Sequence, residues 1–443
     1  MDLTPKQIVA YLDDFIIGQG EAKKAIAIAL RNRYRRLRLE GDIRDEVLPK
    51  NILMIGSTGI GKTEIARRMA KLLKLPFVKV EATKYTEVGF VGRDVESMVR
   101  DLALDAMKIV REEEMAKQAP ELDSYILGKI ADELLPPLPK GSPQTLLEQH
   151  RAQREAMKQK VQGGEMDSLT IAVEVSPKTH VEFAGADGLP PELLKVQDSL
   201  SRMFSQMNQP IKKEVSVKEA KELLKQEAND RLLDMEKIRR EAISRAEEGG
   251  IIFIDEMDKI ALPSGAATRG DPSKEGVQRD LLPIVEGSSV STKYGAINTE
   301  HILFIGAGAF HQAKPSDLIA ELQGRFPIRV EMYPLDEEAL YQILIAPKNS
   351  IVRQYSALMA VDGVNLSFEE SALRAMANLA RQANEKTEDI GARRLHTVME
   401  KALEEISFEA DENSGKDIVI TADMIHEKLD RIFESDDAAR YIL

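Results

Sequence analysis

The chain has 443 residues, 43% hydrophobic and 30% charged, with a formal net charge of −13, no cysteine and no tryptophan. That length supports two or three domains, each with a core of its own. The acidic balance argues against general nucleic-acid binding. Zero cysteines exclude disulfides, thiolate nucleophiles and cysteine zinc fingers, and without an apolar run of about 18 residues no helix spans a membrane.

The opening residues, MDLTPKQIVAYLDD, lack the basic, apolar, small-residue order of a signal peptide, so the expected compartment is the cytoplasm of a bacterium. Residues 4–48 read as helical. Thr4-Pro5 supplies a cap and a first-turn proline, and Ile8, Leu12 and Ile16 recur at helical spacing. Ile16-Ile17-Gly18-Gln19 interrupts the pattern before a second helix begins near Glu21. The basic run at residues 31–38 reads as a solvated or locally paired helix face.

Residues 51–63, NILMIGSTGIGKT, read as an apolar strand, a glycine-rich turn and a helix start. The turn fits G-x-x-x-x-G-K-[ST], the phosphate-binding P-loop. Its glycines let backbone N–H groups converge on phosphate oxygens, and the helix beginning near Lys62 adds its positive end. Lys62 is the expected point charge for the β- and γ-phosphates, and the Thr63 hydroxyl the expected Mg²⁺ ligand. The nucleotide is expected to lie against Gly59, Ile60, Gly61, Lys62, Thr63 and Glu64.

A second strand is expected at residues 76–80. Residues 81–92 form a polar loop whose tip is Gly89-Phe90-Val91-Gly92. By itself that tip reads equally as a tucked turn or as a mobile loop offering Phe90 to a partner. A helix follows from 94 to about 118. From 111 to 238 the chain is rich in Lys, Glu, Gln and Met, and reads as a helical insertion with flexible parts. Residues 136–164 are a candidate disordered segment, and 215–233 an amphipathic helix.

Residues 250–254, GIIFI, read as a buried strand ending in Asp255-Glu256. Downstream of a P-loop this is a Walker B pattern. Asp255 would hold Mg²⁺ through water, and Glu256 would orient and polarise an attacking water. A helix over 275–286, a hairpin around Gly295, and strands at 301–305 and 327–332 complete an α/β pattern. Such alternation means a parallel sheet with its ligand at the carboxyl ends of the strands. Beyond residue 333 the chain becomes mainly helical, a smaller domain ending in Tyr441-Ile442-Leu443. The expected division is a nucleotide-binding domain from 1–110 and 239–332, the insertion at 111–238, and a small domain at 333–443.

P-loop, Walker B, parallel sheet and helical C-terminal domain together resemble the AAA+ ATPases. The likeness is closest to the HslU (ClpY) family, the ATPase subunits of the bacterial HslUV (ClpYQ) protease, and runs from end to end. It is carried by IIGQ at 16–19, GSTGIGKT at 56–63, GFVG at 89–92, IDEMDKI at 254–260, EGVQRDLL at 275–282, LQGR at 322–325, GARRLH at 391–396 and the terminal YIL. Only the insertion lacks such motifs.

The resemblance implies roles that spacing does not reveal. Ile17 would pack on the adenine of ATP. Arg325 would be an arginine finger for a neighbour's γ-phosphate, and Glu321 a further nucleotide-site residue. Arg393 would be a sensor of nucleotide state. A site shared between subunits implies a homo-hexamer. Gly89, Phe90, Val91 and Gly92 match the family's central pore loop, with Phe90 in place of the usual tyrosine. Tyr441, Ile442 and Leu443 would dock on the peptidase. Ala307 cannot supply the polar sensor common on that strand in AAA+ proteins, so none is assigned there.

The implied activity is ATP-driven unfolding and threading of unfolded or tagged proteins into a separate HslV-type double-ring peptidase, with no membrane and no nucleic-acid partner. A ClpX-like unfoldase is the nearest alternative, opposed by the missing cysteines, the GARRL sequence, the insertion and the tail. A AAA+ nucleic-acid motor and a non-hydrolysing nucleotide-binding scaffold are the alternatives from other classes.

Overall fold

The structure, a computed structural model, describes residues 3–47, 49–86, 93–139, 141–175, 211–262 and 272–434. The chain divides into two compact units, Met1–Ile109 with Arg239–Leu443, and Val110–Ile238. Among the described residues no helix is long and apolar enough to cross a membrane.

The first unit opens with α1 (Pro5–Asp13), α2 (Gly20–Arg36) and α3 (Ile43–Glu46). Thr4 and Gln7 start α1 with a reciprocal capping box, which satisfies two N–H groups that the first turn leaves open. Next come β1 (Ile52–Ile55), α4 (Lys62–Leu73), β2 (Phe77–Glu81) and the start of α5 (Ser97–Leu134). In the second unit lie the rest of α5, α6 (Gln144–Gln162), the strands β3 (Thr170–Val175) and β4 (Ile211–Ser216), and α7 (Val217–Leu232).

The chain returns through α8 (Met235–Gly249) to β5 (Ile251–Asp255), α9 (Met257–Ile260) and α10 (Pro272–Glu286). A hairpin of β6 (Ser289–Thr292) and β7 (Gly295–Asn298) precedes β8 (Leu303–Gly308), α11 (Ala320–Arg325) and β9 (Ile328–Glu331). The C-terminal part holds α12 (Glu337–Ile345), α13 (Ile351–Val361), β10 (Asn365–Phe368), α14 (Glu370–Lys386), α15 (Arg393–Phe408), β11 (Asp417–Ile420) and α16 (Ala422–Glu434).

Five strands form one parallel sheet in the order β2-β5-β8-β1-β9. Ile52, Met54, Ile251, Phe253, Leu303 and Ile305 line one face and pack on α1, α2 and α4. The period of two explains the apolar runs: a strand covered on both faces has no position for water-facing residues. The C-terminal helices enclose a separate core that includes Leu340, Leu373, Met376, Leu395 and Leu403. There β10 and β11 pair in parallel.

Two local readings need correction. Helix α5 does not stop near residue 118 but continues through Pro120 to Leu134. Beyond the proline, Leu122, Ile126 and Ile130 present one apolar face to the second unit's core. Burial of that face outweighs the single backbone bond a proline removes. The segment 136–164 is not structureless, because α6 occupies most of it. It is tied down by Arg154 Nε on Asp132 at 2.6 Å and by buried Val161.

The basic run at residues 31–38 is partly solvated, at the exposed Arg35 and Arg38, and partly paired within the fold. Arg33 and Arg36 are buried. Arg33 donates to the carbonyls of Gly250, at 3.0 Å, and His301. Arg36 pairs with Glu248 at 2.7 Å. Burial lowers the Arg33 pKa to about 10, with Glu248 opposing the shift and Arg36 adding to it. These guanidiniums anchor α2 to the start of the central strands.

Candidate nucleotide-binding site

At the carboxyl end of β1 the chain turns through residues 56–61 into α4. Gly59 has φ +73° and Gly61 φ +100°, both in the left-handed region. A β-carbon on Gly59 would lie 1.9 Å from the Ile390 carbonyl oxygen, so only glycine fits there. The Lys62 ammonium sits inside the turn, donating to the carbonyls of Gly56 at 2.5 Å and Ser57 at 2.6 Å. Burial lowers its pKa. The carboxylates of Asp255 and Asp258 oppose that shift, and Arg393 and Lys79 reinforce it.

The turn forms one wall of a cleft of about 520 Å³. That volume lies in the range of about 300–1,000 Å³ typical of small-molecule sites. Ile17, Gly59, Ile60, Gly61, Lys62, Thr63, Glu64, Asp255 and Arg393 all line it. The polar end gathers Lys62, Thr63, Asp255 and Arg393. The apolar end is made by Phe15, Ile16, Ile17, Leu335 and Ile343. One end suits a polyanion and the other a flat ring.

Each wall is positioned by contacts remote in sequence. The buried Lys23 ammonium donates to the Ile16 carbonyl at 2.5 Å and to Asp13 Oδ1 at 2.7 Å, fixing the irregular connection between α1 and α2 that carries Ile17. Gln19 brackets the connection to the C-terminal helices: its Nε2 donates to the Tyr333 carbonyl at 2.8 Å, and its Oε1 accepts from the Tyr333 N–H at 3.2 Å. The turn before α15 touches the P-loop directly. Ala392 N–H donates to the Gly59 carbonyl at 3.1 Å, and the Thr58 hydroxyl to the Asp389 carbonyl at 3.2 Å.

The adjacent arginines of GARRL have opposite fates. Arg393 lines the cleft. Arg394 is buried and donates to Thr387 Oγ1 at 2.7 Å and the Glu388 carbonyl at 2.8 Å. Burial lowers its pKa against the pull of Asp389 and Glu388. It therefore acts as a brace for the turn that meets the P-loop.

Asp255 closes β5 beside the cleft. Lys79, on the neighbouring strand β2, holds its Oδ2 at 2.9 Å. A cationic group thus already stands at that carboxylate. Glu256 follows with φ +59°, an unusual conformation for a residue with a side chain, and caps α9. Its Oε2 accepts from the Thr83 hydroxyl at 2.8 Å, and it does not line the cleft. Asp258 Oδ1 accepts from the Ala309 N–H at 3.2 Å, so a carboxylate from α9 braces the end of β8, where buried Ala307 has no polar group to offer.

The donor set fits a nucleotide with magnesium. Among the described residues no three His, Cys, Asp or Glu side chains gather to cage a metal. One hydroxyl and one carboxylate, Thr63 and Asp255, are the sparse oxygen set that magnesium takes when substrate phosphates supply the rest.

The structure does not bring Glu321 and Arg325 into this cleft. Both are exposed on α11. Arg325 donates through Nε at 3.0 Å and Nη2 at 2.7 Å to Glu286 Oε1. Gly89, Phe90, Val91, Gly92, Tyr441, Ile442 and Leu443 lie outside the described residues. Sequence reasoning missed Lys79, Asn349, Gln354 and His396, which also line the cleft. A lysine within the apolar strand FVKVE and a histidine three residues after Arg393, on the same helix face, were the available signals.

A family model described as AAA domain (Cdc48 subfamily) matches residues 176–329, which include Asp255, Glu256, Glu321 and Arg325. The chain is 56% identical over 443 residues to the ATP-dependent protease ATPase subunit HslU of Campylobacter jejuni, covering 100% of both chains. It is 56% identical over 443 residues to the protein of the same name from Helicobacter pylori, covering 100% of this chain and 99% of the relative. With that identity sustained along its whole length, the chain belongs to the HslU family of ATPase subunits of ATP-dependent proteases.

Proposed function

We propose that this chain hydrolyses ATP to unfold proteins and thread them into a separate HslV-type peptidase, working as a homo-hexameric ring in the cytoplasm. The observation that carries the reading is the bond between Gly59 and Ala392 across the cleft. It joins the phosphate-binding turn to the C-terminal helices, so a change at the phosphates is felt by both walls. Ligand contacts made in one state and lost in another are what shift such an arrangement.

In this reading Ile17 and the apolar end hold the adenine, and Glu64 lies beside the bound nucleotide. Lys62 leaves its carbonyl contacts for the β- and γ-phosphates. Thr63 and Asp255 would hold Mg²⁺, which supplies neutralising charge to the phosphates. Glu256 leaves Thr83 to orient the attacking water and draw on its proton. Arg393 senses the γ-phosphate from the C-terminal side.

Arg325 stands outside its own cleft on an exposed helix, which supports its use in a neighbour's site, with Glu321 beside it. Charge spreading over the transferred phosphoryl group is then met by Lys62 from one subunit and Arg325 from the next. Three working parts follow: the nucleotide-binding part at 1–110 and 239–332, the insertion at 111–238 that admits substrate, and the small part at 333–443. Phe90 grips the polypeptide, and the tail docks on the peptidase.

The test combines the full-length chain with its partner peptidase, ATP, magnesium and a tagged folded client. Client degradation should require ATP hydrolysis, and Glu256→Gln should bind ATP yet stop degradation. Degradation by the Glu256→Gln ring at the unaltered rate would overturn the reading.

A further inference from the structure

The short helix that ends in Arg325 is held at both ends by buried amide side chains. Gln278 on α10 is fully buried. Its Nε2 donates to the Ile260 carbonyl at 2.6 Å, and its Oε1 accepts from the Ile319 N–H at 2.8 Å. Ile260 closes α9, the single turn that follows Asp255 and Glu256, while Ile319 caps α11. A backbone bond from Leu262 N–H to the Asp317 carbonyl, 3.1 Å, runs alongside.

At the other end, Asn51 is also buried. Its Nδ2 donates to the carbonyl of Arg325 itself at 3.0 Å, and its Oδ1 accepts from the Phe304 N–H at 3.0 Å. Asn51 immediately precedes β1, whose other end opens into the P-loop. The two amides therefore connect α11 to β1, which leads into the P-loop, to β8, and to the single turn that follows Asp255 and Glu256.

A six-residue helix has little stability of its own, and Gly324 beside Arg325 has open space around it. Its direction must come from outside contacts. A planar amide offers a donor and an acceptor at fixed separation, and both are used here at both sites. Replacing either amide by an apolar side chain leaves buried backbone groups without partners and lets the helix turn.

We propose that Gln278 and Asn51 are positioning residues for Arg325, keeping its helix in fixed register with the Asp255–Glu256 turn and the P-loop strand. The inference rests on the reading of Arg325 as a group that acts on a neighbour's nucleotide. It also gives the coupling a route: movement of α9 or β1 in one cleft is carried rigidly to the arginine offered to the next.

The experiment uses full-length rings and measures steady-state ATP hydrolysis, fluorescent-nucleotide affinity and melting temperature. The variants are Gln278→Met, Arg325→Ala and the two combined. Gln278→Met removes both hydrogen bonds at nearly constant volume. It should lower kcat about fivefold or more while KM changes less than about twofold. In the Arg325→Ala background the same substitution should lower kcat by less than about twofold, because the group being positioned is already gone.

A merely structural role would lower kcat by the same factor in both backgrounds, and that result overturns the inference. An unchanged kcat in Gln278→Met, with Arg325→Ala impaired, overturns it while leaving the reading of Arg325 standing. An unchanged kcat in Arg325→Ala overturns both. Should Gln278→Met not fold, Asn51→Leu is compared in the same two backgrounds with the same outcomes deciding.

Discussion

The Thr83 hydroxyl donates to Glu256 Oε2 at 2.8 Å, holding the carboxylate that follows Asp255 on the β2 side of the strand end. Thr83 precedes Phe90 by seven residues in the chain. The carboxylate expected to orient water is thus restrained by a residue close in the chain to the segment expected to grip substrate. Thr83→Ala should free Glu256. Releasing a hydrogen bond of about 1 kcal/mol should raise basal hydrolysis roughly fivefold. The rise should shrink when unfolded protein is added. A basal rate equal to that of the unaltered chain would show that this bond does not restrain Glu256.

Gly59→Ala tests the contact between the P-loop and the turn before α15. The added carbon would meet the Ile390 carbonyl oxygen at 1.9 Å, and the obstacle is backbone that no rotamer change relieves. The residue would also be forced to keep a left-handed conformation costing about 1–3 kcal/mol. Fluorescent-nucleotide affinity should fall about tenfold or more. Unaltered affinity would mean that the two walls are not in register when nucleotide is bound.

Lys62 sets a pH dependence with a definite sign. Its folded-state pKa lies below the 10.5 of an unperturbed lysine because burial disfavours the ammonium. Below the folded value both states carry the proton and the full stability penalty is present. As pH rises from the folded value towards the unfolded one, the penalty fades and the folded state gains. Bound phosphates favour the ammonium and reverse the shift. Nucleotide binding should therefore take up protons at alkaline pH and weaken as pH rises. Calorimetry in buffers of different ionisation enthalpy reads the uptake directly, and its absence would refute this role for Lys62.

Arg394 braces the turn at Thr387 and Glu388 from a buried position. Arg394→Ala should destabilise the C-terminal helices by about 2–3 kcal/mol, since charged hydrogen bonds and packing are lost together. Nucleotide affinity should fall with it, because the same turn bonds to Gly59. Thermal melting and nucleotide titration of one sample check both. A loss of stability with full affinity would separate the brace from the site.

The loop at Phe90 and the tail at Tyr441, Ile442 and Leu443 are tested by function. Phe90→Ala should slow client degradation about tenfold or more while nucleotide affinity stays within about twofold. Deleting the three tail residues should abolish peptidase activation and leave basal ATP hydrolysis in place. Full activation by the shortened chain would remove the tail from the docking surface.

The groups of the nucleotide cleft that are close in sequence were legible from spacing. The glycines of GSTGIGKT and the lysine that follows act through one turn of backbone, so their order carries their geometry. The run IIFIDE likewise states a buried strand and its polar end. Long elements were legible from periodicity, but their ends were not. Helix α5 passes Pro120 because its buried face outweighs the local break, whereas α6 buries only Val161 and forms from residues that favour a helix locally.

What the sequence by itself determined is the local pattern: a glycine-rich turn of the P-loop type with its lysine, a hydroxyl and a carboxylate at the ends of neighbouring elements, and a parallel sheet to carry them. Only the tertiary structure decided which partners restrain those groups. Lys79 on Asp255, Thr83 on Glu256, Ile390 against Gly59 and Glu286 on Arg325 join elements far apart in the chain. Such pairs follow from strand order and helix packing, whose energies are sums over many contacts, so no local pattern of residues encodes them.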